Sequence, residues 1–357
     1  MRFLASFTVV VCIATGCGDS VDRAKIATQA ASGERTIVAT GASDIGTSSG
    51  TPATPGATGK TLQIAVIPKG TSHEFWKSVH AGAENAAREL GGIEIIWKGP
   101  AQENDIQGQI EVVQNMITRQ VAAICLAPNH SEALVDVVQE AHDEKIPVVI
   151  FDSGLGKGPE IVSYVATDNE KGGQLAGERL AEAIGDKGEV ILLRYSAGSE
   201  STEQREAGFL AAMAKFPDIK VISADQYGGT TTKSAMDKSL QLLLRYQDEV
   251  DGLFAVCESN CNGALEALEQ SGMAGKVKFV AFDPSDRLIE GLEKKTVHGI
   301  VLQDPVQMGY ASVKAAVAKL RGETVVPRIA TGEYVATHQN MRTEQYHKLL
   351  HPQVFSK

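Results

Sequence analysis

From residue 62 onward, short runs rich in Val, Ile and Leu alternate with amphipathic stretches, and this alternation constrains the fold more than any other feature of the chain. Strand-like runs fall at 62–67, 93–97, 121–126, 146–151, 162–166, 189–194, 219–223, 252–256, 277–282 and 297–302. Helical patterns occupy 79–90, 106–119, 131–144, 170–184, 204–215, 233–246, 262–271 and 306–321. The strand runs show no clean polar/apolar alternation, as expected where helices cover both faces of a sheet. Pro147 falls at the start of its run, the place where a strand tolerates proline. A repeated βα unit predicts an α/β fold with parallel, right-handed, doubly wound sheets. Ten strands are many for one open sheet, so two consecutive blocks are expected, dividing near Ala166-Thr167-Asp168-Asn169.

Several function classes lose their support early. No Gly-x-Gly-x-x-Gly and no Gly-x-x-x-x-Gly-Lys-Ser/Thr loop follows a strand, which argues against a nucleotide. No Gly-x-Ser-x-Gly elbow joins a strand to a helix. Candidate acids and bases include His73, Glu74, Asp152 and Glu258, yet no nucleophile–base pair or metal set emerges from their spacing, so neither an enzyme nor a cofactor is expected. The net charge of −10 and the absence of a Lys/Arg cluster exclude nucleic acid as the expected partner.

The N-terminus reads as a targeting segment. Arg2 precedes the apolar stretch Phe3–Ala14, which is short for a membrane span. It ends in Ala14-Thr15-Gly16-Cys17, a junction that resembles a bacterial lipobox and marks Cys17 for lipidation. Residues 1–17 are thus a signal peptide with lipobox. Residues 18–60, rich in Ala, Thr, Gly, Ser and Pro, form a disordered tether because they bury too little apolar surface to order themselves. The mature chain is expected to be exported, periplasmic or at the cell surface, and held to the membrane by a lipid anchor. Cys125 lies in an apolar run and reads as a buried thiol. Cys257 and Cys261 stand four apart in a compartment that permits disulfides, although helical geometry opposes one.

Polar groups gather where strands stop. The first strand leads to His73-Glu74-Phe75-Trp76, which places one of only two tryptophans beside a phenylalanine, a histidine and a carboxylate. Later strand ends carry Asp152-Ser153, a run from Tyr195 through Ser201-Thr202 to Arg205, Asp225-Gln226-Tyr227, Cys257-Glu258-Ser259-Asn260, Asp283 and Gln303-Asp304. In open α/β sheets, ligands bind at the carboxyl ends of strands. Rings offer faces to CH surfaces, while carboxylates and a guanidinium bind hydroxyls, a combination that suits an uncharged polyol. Asp152, Asp168 and Asp283 also fit as helix N-caps, and Asp168 fits that role best.

These residues carry a resemblance to the periplasmic sugar-binding proteins of the ribose-binding type, the soluble receptors of ABC importers. It covers 62–340 and rests on His73–Ala83, Ile146–Ser153, Ala166–Gly173, Arg205–Phe209, Asp251–Ala255, Lys278–Asp283 and Leu302–Pro305 in that order. The resemblance implies a type I periplasmic binding protein fold: two hinged Rossmann-like lobes with crossings near 166, 303 and 332. The N-terminal lobe would comprise 61–165 and 304–331, and the C-terminal lobe 166–303 and 332–345. It implies a monomer that captures a neutral monosaccharide or polyol between the lobes and delivers it to the membrane subunits of an ABC permease. Phe75 and Trp76 match the paired aromatic positions, His73 a neighbouring polar position, Asp152 and Asp283 the two carboxylates, Arg205 the arginine and Gln303 the hinge amide. Tyr227 falls near a second-lobe aromatic. Ser153 replaces an arginine and Cys257 an asparagine, which weakens the case for ribose itself. Glu258 follows at the same strand end. The same closed form could instead dock on a chemoreceptor or sensor kinase. A repressor sharing this core would need a helix-turn-helix where the signal segment stands.

Overall fold

A computed structural model describes residues 61–355. The signal peptide, Cys17 and the tether expected at 18–60 lie outside the described residues. The first half runs β1 (Leu62–Ile67), α1 (Glu74–Leu90), β2 (Ile93–Trp97), α2 (Ile106–Thr118), β3 (Ala123–Leu126), α3 (Val135–Asp143), β4 (Val148–Phe151) and β5 (Ser163–Ala166). The second runs α4 (Asn169–Ile184), β6 (Gly188–Arg194), α5 (Glu200–Met213), β7 (Ile219–Tyr227), α6 (Thr232–Arg245), β8 (Val250–Ala255), α7 (Glu258–Gln270), β9 (Lys278–Phe282), α8 (Asp286–Glu293) and β10 (Gly299–Leu302). The chain closes with α9 (Pro305–Leu320), β11 (Arg328–Ala330), β12 (Tyr334–Ala336) and α10 (Glu344–Leu350).

Two six-stranded sheets result, ordered β11-β5-β4-β3-β1-β2 and β12-β10-β9-β8-β6-β7. The orders are the same at equivalent positions, so the second sheet repeats the strand order of the first, with the edge strand β12 reversed relative to β11. All pairings are parallel except β10–β12. Between the sheets the chain passes after β5, after β10 and between β11 and β12.

Burial on both faces explains the unbroken apolar strands. In β1, Ile64 and Val66 pack with α1 and α9, while Ala65 and Ile67 pack with α2 and α3. In each half helices touch backbone to backbone at glycines. Gly173 of α4 lies under the Arg205 carbonyl, Gly208 of α5 under that of Glu170, and a Cβ at either would collide with it.

Helices begin earlier than the apolar pattern suggests. α1 starts at Glu74, α5 at Glu200 and α7 at Glu258, so the polar residues at strand ends occupy first helical turns rather than loops. Asp168 caps α4 by accepting from the Lys171 N–H, whereas Ser285, and not Asp283, caps α8. The short elements α8, β11, β12 and α10 have no counterpart in the sequence reading; strands of three residues are too short to show a period.

The C-terminal tail joins the two halves. Leu350 of α10 is buried in the core of the second sheet. Beyond it the Gln353 side chain accepts from Asn85 Nδ2 at 3.0 Å, and the Phe355 N–H donates to the Lys77 carbonyl at 3.1 Å, both on α1. The Phe355 ring lies 3.9 Å from that of His80, which in turn stacks on Trp97 of β2 at 4.4 Å.

Candidate functional site

In a sheet of order 2-1-3-4-5 the connections leaving the first and third strands turn to opposite faces, and a crevice opens between their carboxyl ends. Here both sheets have that order, and their crevices face each other. Lys69 follows β1 and Asp152 follows β4; Tyr195 follows β6, Cys257 and Glu258 follow β8, and Asp283 follows β9. These residues line one pocket together with His73, Phe75, Trp76, Glu103, Ser201, Thr202, Arg205 and Gln303. The cavity between these side chains is about 30 Å³, so the walls nearly meet.

Asp152 and Asp283 are set alike. Each directly follows a strand with φ positive, 61° and 67°, and each donates its N–H to a carbonyl of the neighbouring strand, Val165 at 3.0 Å and Val301 at 2.9 Å. The left-handed backbone turns each carboxylate toward the crevice, a conformation that Asp tolerates better than most residues. Neither caps a helix.

Each carboxylate has its own cation. Lys69 Nζ lies 3.1 Å from Asp152 Oδ2 and donates to Ser199 Oγ at 3.2 Å and Ser201 Oγ at 2.9 Å, bridging the two halves. Arg205 is 2 % exposed. Its Nε donates to Asn169 Oδ1 at 2.8 Å, Nη1 donates to the Val256 carbonyl at 3.0 Å, and the guanidinium lies 3.8 Å over the Phe282 ring. Asp283 Oδ2 is 3.7 Å from Arg205 Nη1, and Asp283 Oδ1 accepts from Gln303 Nε2 at 2.8 Å. Burial raises the Asp283 carboxyl above its ordinary range, against the pull of Arg205 and Gln303. Gln303 Oε1 is buried with no hydrogen-bond partner among the described residues, an acceptor that a donor entering the crevice would satisfy.

The opposite wall is aromatic and acidic. Phe75 and Trp76 meet edge to face, 4.9 Å between centroids, and Trp76 is also edge-on to Phe151 at 6.3 Å. Glu103, from the β2–α2 loop, accepts from Trp76 Nε1 at 2.6 Å and sits 2.8 Å from His73 Nδ1; it also accepts the Tyr195 hydroxyl. Burial alone would drive both His73 and Glu103 toward neutrality. The hydrogen bond and attraction between them outweigh it, holding Glu103 down at about 2 and His73 up at about 9. Glu258 Oε2 accepts from the Phe75 N–H at 3.2 Å, across the crevice. Burial lifts its carboxyl to about 7 despite the charge of His73.

Two expected residues lie elsewhere. Tyr227 is the last residue of β7, which runs four residues past the expected 219–223; it is 39 % exposed and stacks under the Arg194 guanidinium at 4.5 Å, away from the pocket. Ser153 is buried behind the wall, its Oγ accepting from the Ser201 N–H at 3.1 Å. Cys257 does line the pocket, and burial pushes its thiol up to about 12, which leaves it unreactive. No disulfide forms: Cys257 and Cys261 are both free, and the Cys261 thiol donates to the Ala255 carbonyl at 3.2 Å. Sequence reasoning missed Lys69 and Glu103. Lys69 offered a signal, a cation two residues beyond an apolar strand, whereas Glu103 sits in an ordinary polar loop, Gln102-Glu103-Asn104-Asp105. Among the described residues no cluster of three or more His, Cys, Asp or Glu could hold a metal ion.

Residues 64–324 match the periplasmic binding protein domain. The chain is 28% identical over 266 residues to the ribose import binding protein of Haemophilus influenzae, an alignment covering 74% of this chain and 88% of that one. Among solved structures it resembles a carbohydrate-transporter solute-binding protein from Agrobacterium radiobacter in complex with D-arabinose, at 32% identity and TM-score 0.78 over 81% of this chain and 98% of that one. It also resembles an ABC transporter solute-binding protein from Agrobacterium vitis bound with α-D-tagatopyranose, at 30% identity and TM-score 0.77, covering 83% of this chain and all of the other. These are substrate-binding components of transporters rather than enzymes. With matched residues spanning most of both sheets, the chain belongs to the periplasmic binding protein family.

Proposed function

We propose that this protein captures a neutral monosaccharide in the crevice between its two halves and presents it to an ABC-type permease. One observation carries the reading. Two carboxylates held alike on opposing sheets, each with a buried cation, face an aromatic wall and an unpaired amide oxygen. Carboxylates and a guanidinium give charge-assisted hydrogen bonds to hydroxyls, and ring faces cover CH groups. The candidate contacts are His73, Phe75, Trp76, Asp152, Arg205, Cys257, Glu258, Asp283 and Gln303. The sugars named for the relatives, ribose, arabinose and tagatose, are all neutral.

Residues 61–165 with 304–331, and 166–303 with 332–345, would act as the two hinged lobes of a monomer. Lipidation at Cys17 would anchor the exported protein to a membrane, and Cys17→Ser should abolish partitioning of the full-length chain into lipid.

Thermal-shift screening against D-ribose, D-arabinose, D-allose, D-tagatose and common hexoses should find a sugar that raises the unfolding midpoint, by about 2.7 kcal/mol of added stability at a hundredfold excess over Kd. Asp283→Ala and Arg205→Ala should each lower affinity for it by about 2 kcal/mol or more, because a buried partner is left unpaired. Parent-like affinity in both, with the fold intact, would place the ligand elsewhere.

A further inference from the structure

Glu103 stands out because the protein nearly saturates it. A carboxylate offers about four acceptor sites. Three are taken by side chains from both halves: the Trp76 indole of α1 at 2.6 Å, His73 Nδ1 at the N-cap of α1 at 2.8 Å, and the Tyr195 hydroxyl that follows β6 on the other sheet. The carboxylate is 10 % exposed, so little of it remains for a ligand. Its bonds instead fix groups that do face the crevice. The indole N–H has one direction in which to donate, so accepting from it sets the rotation of the Trp76 ring against Phe75 and Phe151.

We propose that Glu103 is a positioning residue of this site: it locks the orientation of the Trp76 ring, holds the His73 ring through Nδ1, and takes the Tyr195 hydroxyl from the opposite half when the crevice closes. The inference rests on the sugar-binding reading for its consequence, but the geometry of Glu103 does not depend on which ligand enters. His73 faces three acids, Glu103 from the β2–α2 loop, Glu258 from α7 and Asp283 after β9. Glu103 is its only hydrogen-bonded partner of the three; Lys69 is the other cation acting on Glu103. Neutralising Glu103 while keeping its shape therefore removes the largest support for the imidazolium and leaves the weaker pull of Glu258 and Asp283 against burial.

The test uses the full chain carrying Glu103→Gln and, separately, Tyr195→Phe. Nuclear magnetic resonance without sugar follows the His73 titration and the Trp76 indole N–H. In Glu103→Gln the His73 midpoint should fall by about one unit or more, and the indole resonance should move as a charged acceptor becomes a neutral one. Calorimetry with D-ribose, D-arabinose, D-allose and D-tagatose follows binding. Parent and variant should share the pH response that Glu258, at about 7, gives the pocket between pH 6 and 8, and Glu103→Gln should lose about twofold or more beyond the parent over that range. Tyr195→Phe should leave both resonance signatures unchanged and weaken binding severalfold without adding pH dependence. An unmoved His73 midpoint and indole signal in Glu103→Gln would overturn the proposal. Shifted resonances with none of these sugars bound by the parent would uphold the positioning role and count against the sugar reading.

Discussion

Buried charge decides the behaviour of individual residues here. Lys69–Asp152 and Arg205–Asp283 are paired cations and anions, and His73–Glu103 is a third such pair. Glu258 is the remaining acid of the pocket, held by a backbone N–H and not by a dedicated cation. Its carboxyl sits at about 7 in the folded protein against an ordinary value of 4.5. A raised carboxyl means that the folded state binds its proton more tightly than the unfolded state does. Stability is therefore lost as pH rises from about 4.5 to about 7 and stays level above that. Glu258→Gln should flatten this part of the profile and raise the thermal midpoint at pH 8 relative to the parent, with little difference at pH 4. A profile for Glu258→Gln that follows the parent's throughout would show that the group is solvated. The Asp and Arg positions were legible because their motifs are distinctive. Glu103 was not, since a carboxylate in a polar loop looks the same whether it faces water or three buried donors.

Elements matter through where they start and how closely they pack. Most strands fell within one or two residues of the expected runs because covered β-strands must be apolar throughout. Helix starts were read late at α1, α5 and α7 because their first turns are built of pocket residues, Phe75, Ser201 and Glu258 among them, which break the amphipathic pattern. The α4–α5 contact shows what the pattern cannot carry. Gly173 and Gly208 allow the two backbones to touch, and Arg205, whose carbonyl lies against Gly173, belongs to the pocket. Elsewhere in a helix, Gly→Ala adds up to about 1 kcal/mol of stability. At Gly173 the new methyl should instead cost about 1–3 kcal/mol by overpacking. A lower thermal midpoint for Gly173→Ala, together with weakened sugar binding as α5 and Arg205 are pushed aside, is the expected result. A higher midpoint would mean that the helices separate freely.

At the scale of the whole molecule, several bonds run directly from one half to the other: Lys69 to Ser199 and Ser201, Ser153 to Ser201, Glu200 to the Gly154 N–H at 2.7 Å, and Phe75 to Glu258. Three chain crossings joining such halves form a hinge of the kind that closes around ligands. Solution scattering should therefore report a smaller radius of gyration when the screened sugar is bound, and an equal radius with sugar demonstrably bound would rule out hinge motion. The repeated topology was legible from the βα alternation, while the C-terminal stretch after 336 offered only short, irregular signals. That stretch has a mechanical consequence. Rooted in the second core through Leu350 and pinned to α1 through Gln353 and Phe355, it would act as a short leash if the two halves part to exchange ligand. A leash of a few residues keeps its anchor at high effective concentration near its seat, so an opening that parts the halves would pull Phe355 from His80 and closing would restore the contact. Deleting residues 351–357 should speed ligand release, which stopped-flow fluorescence would record as a faster off-rate at little changed on-rate. By the same logic, a bulky reporter fused at the C-terminus would load the leash and register opening as a change in its own motion.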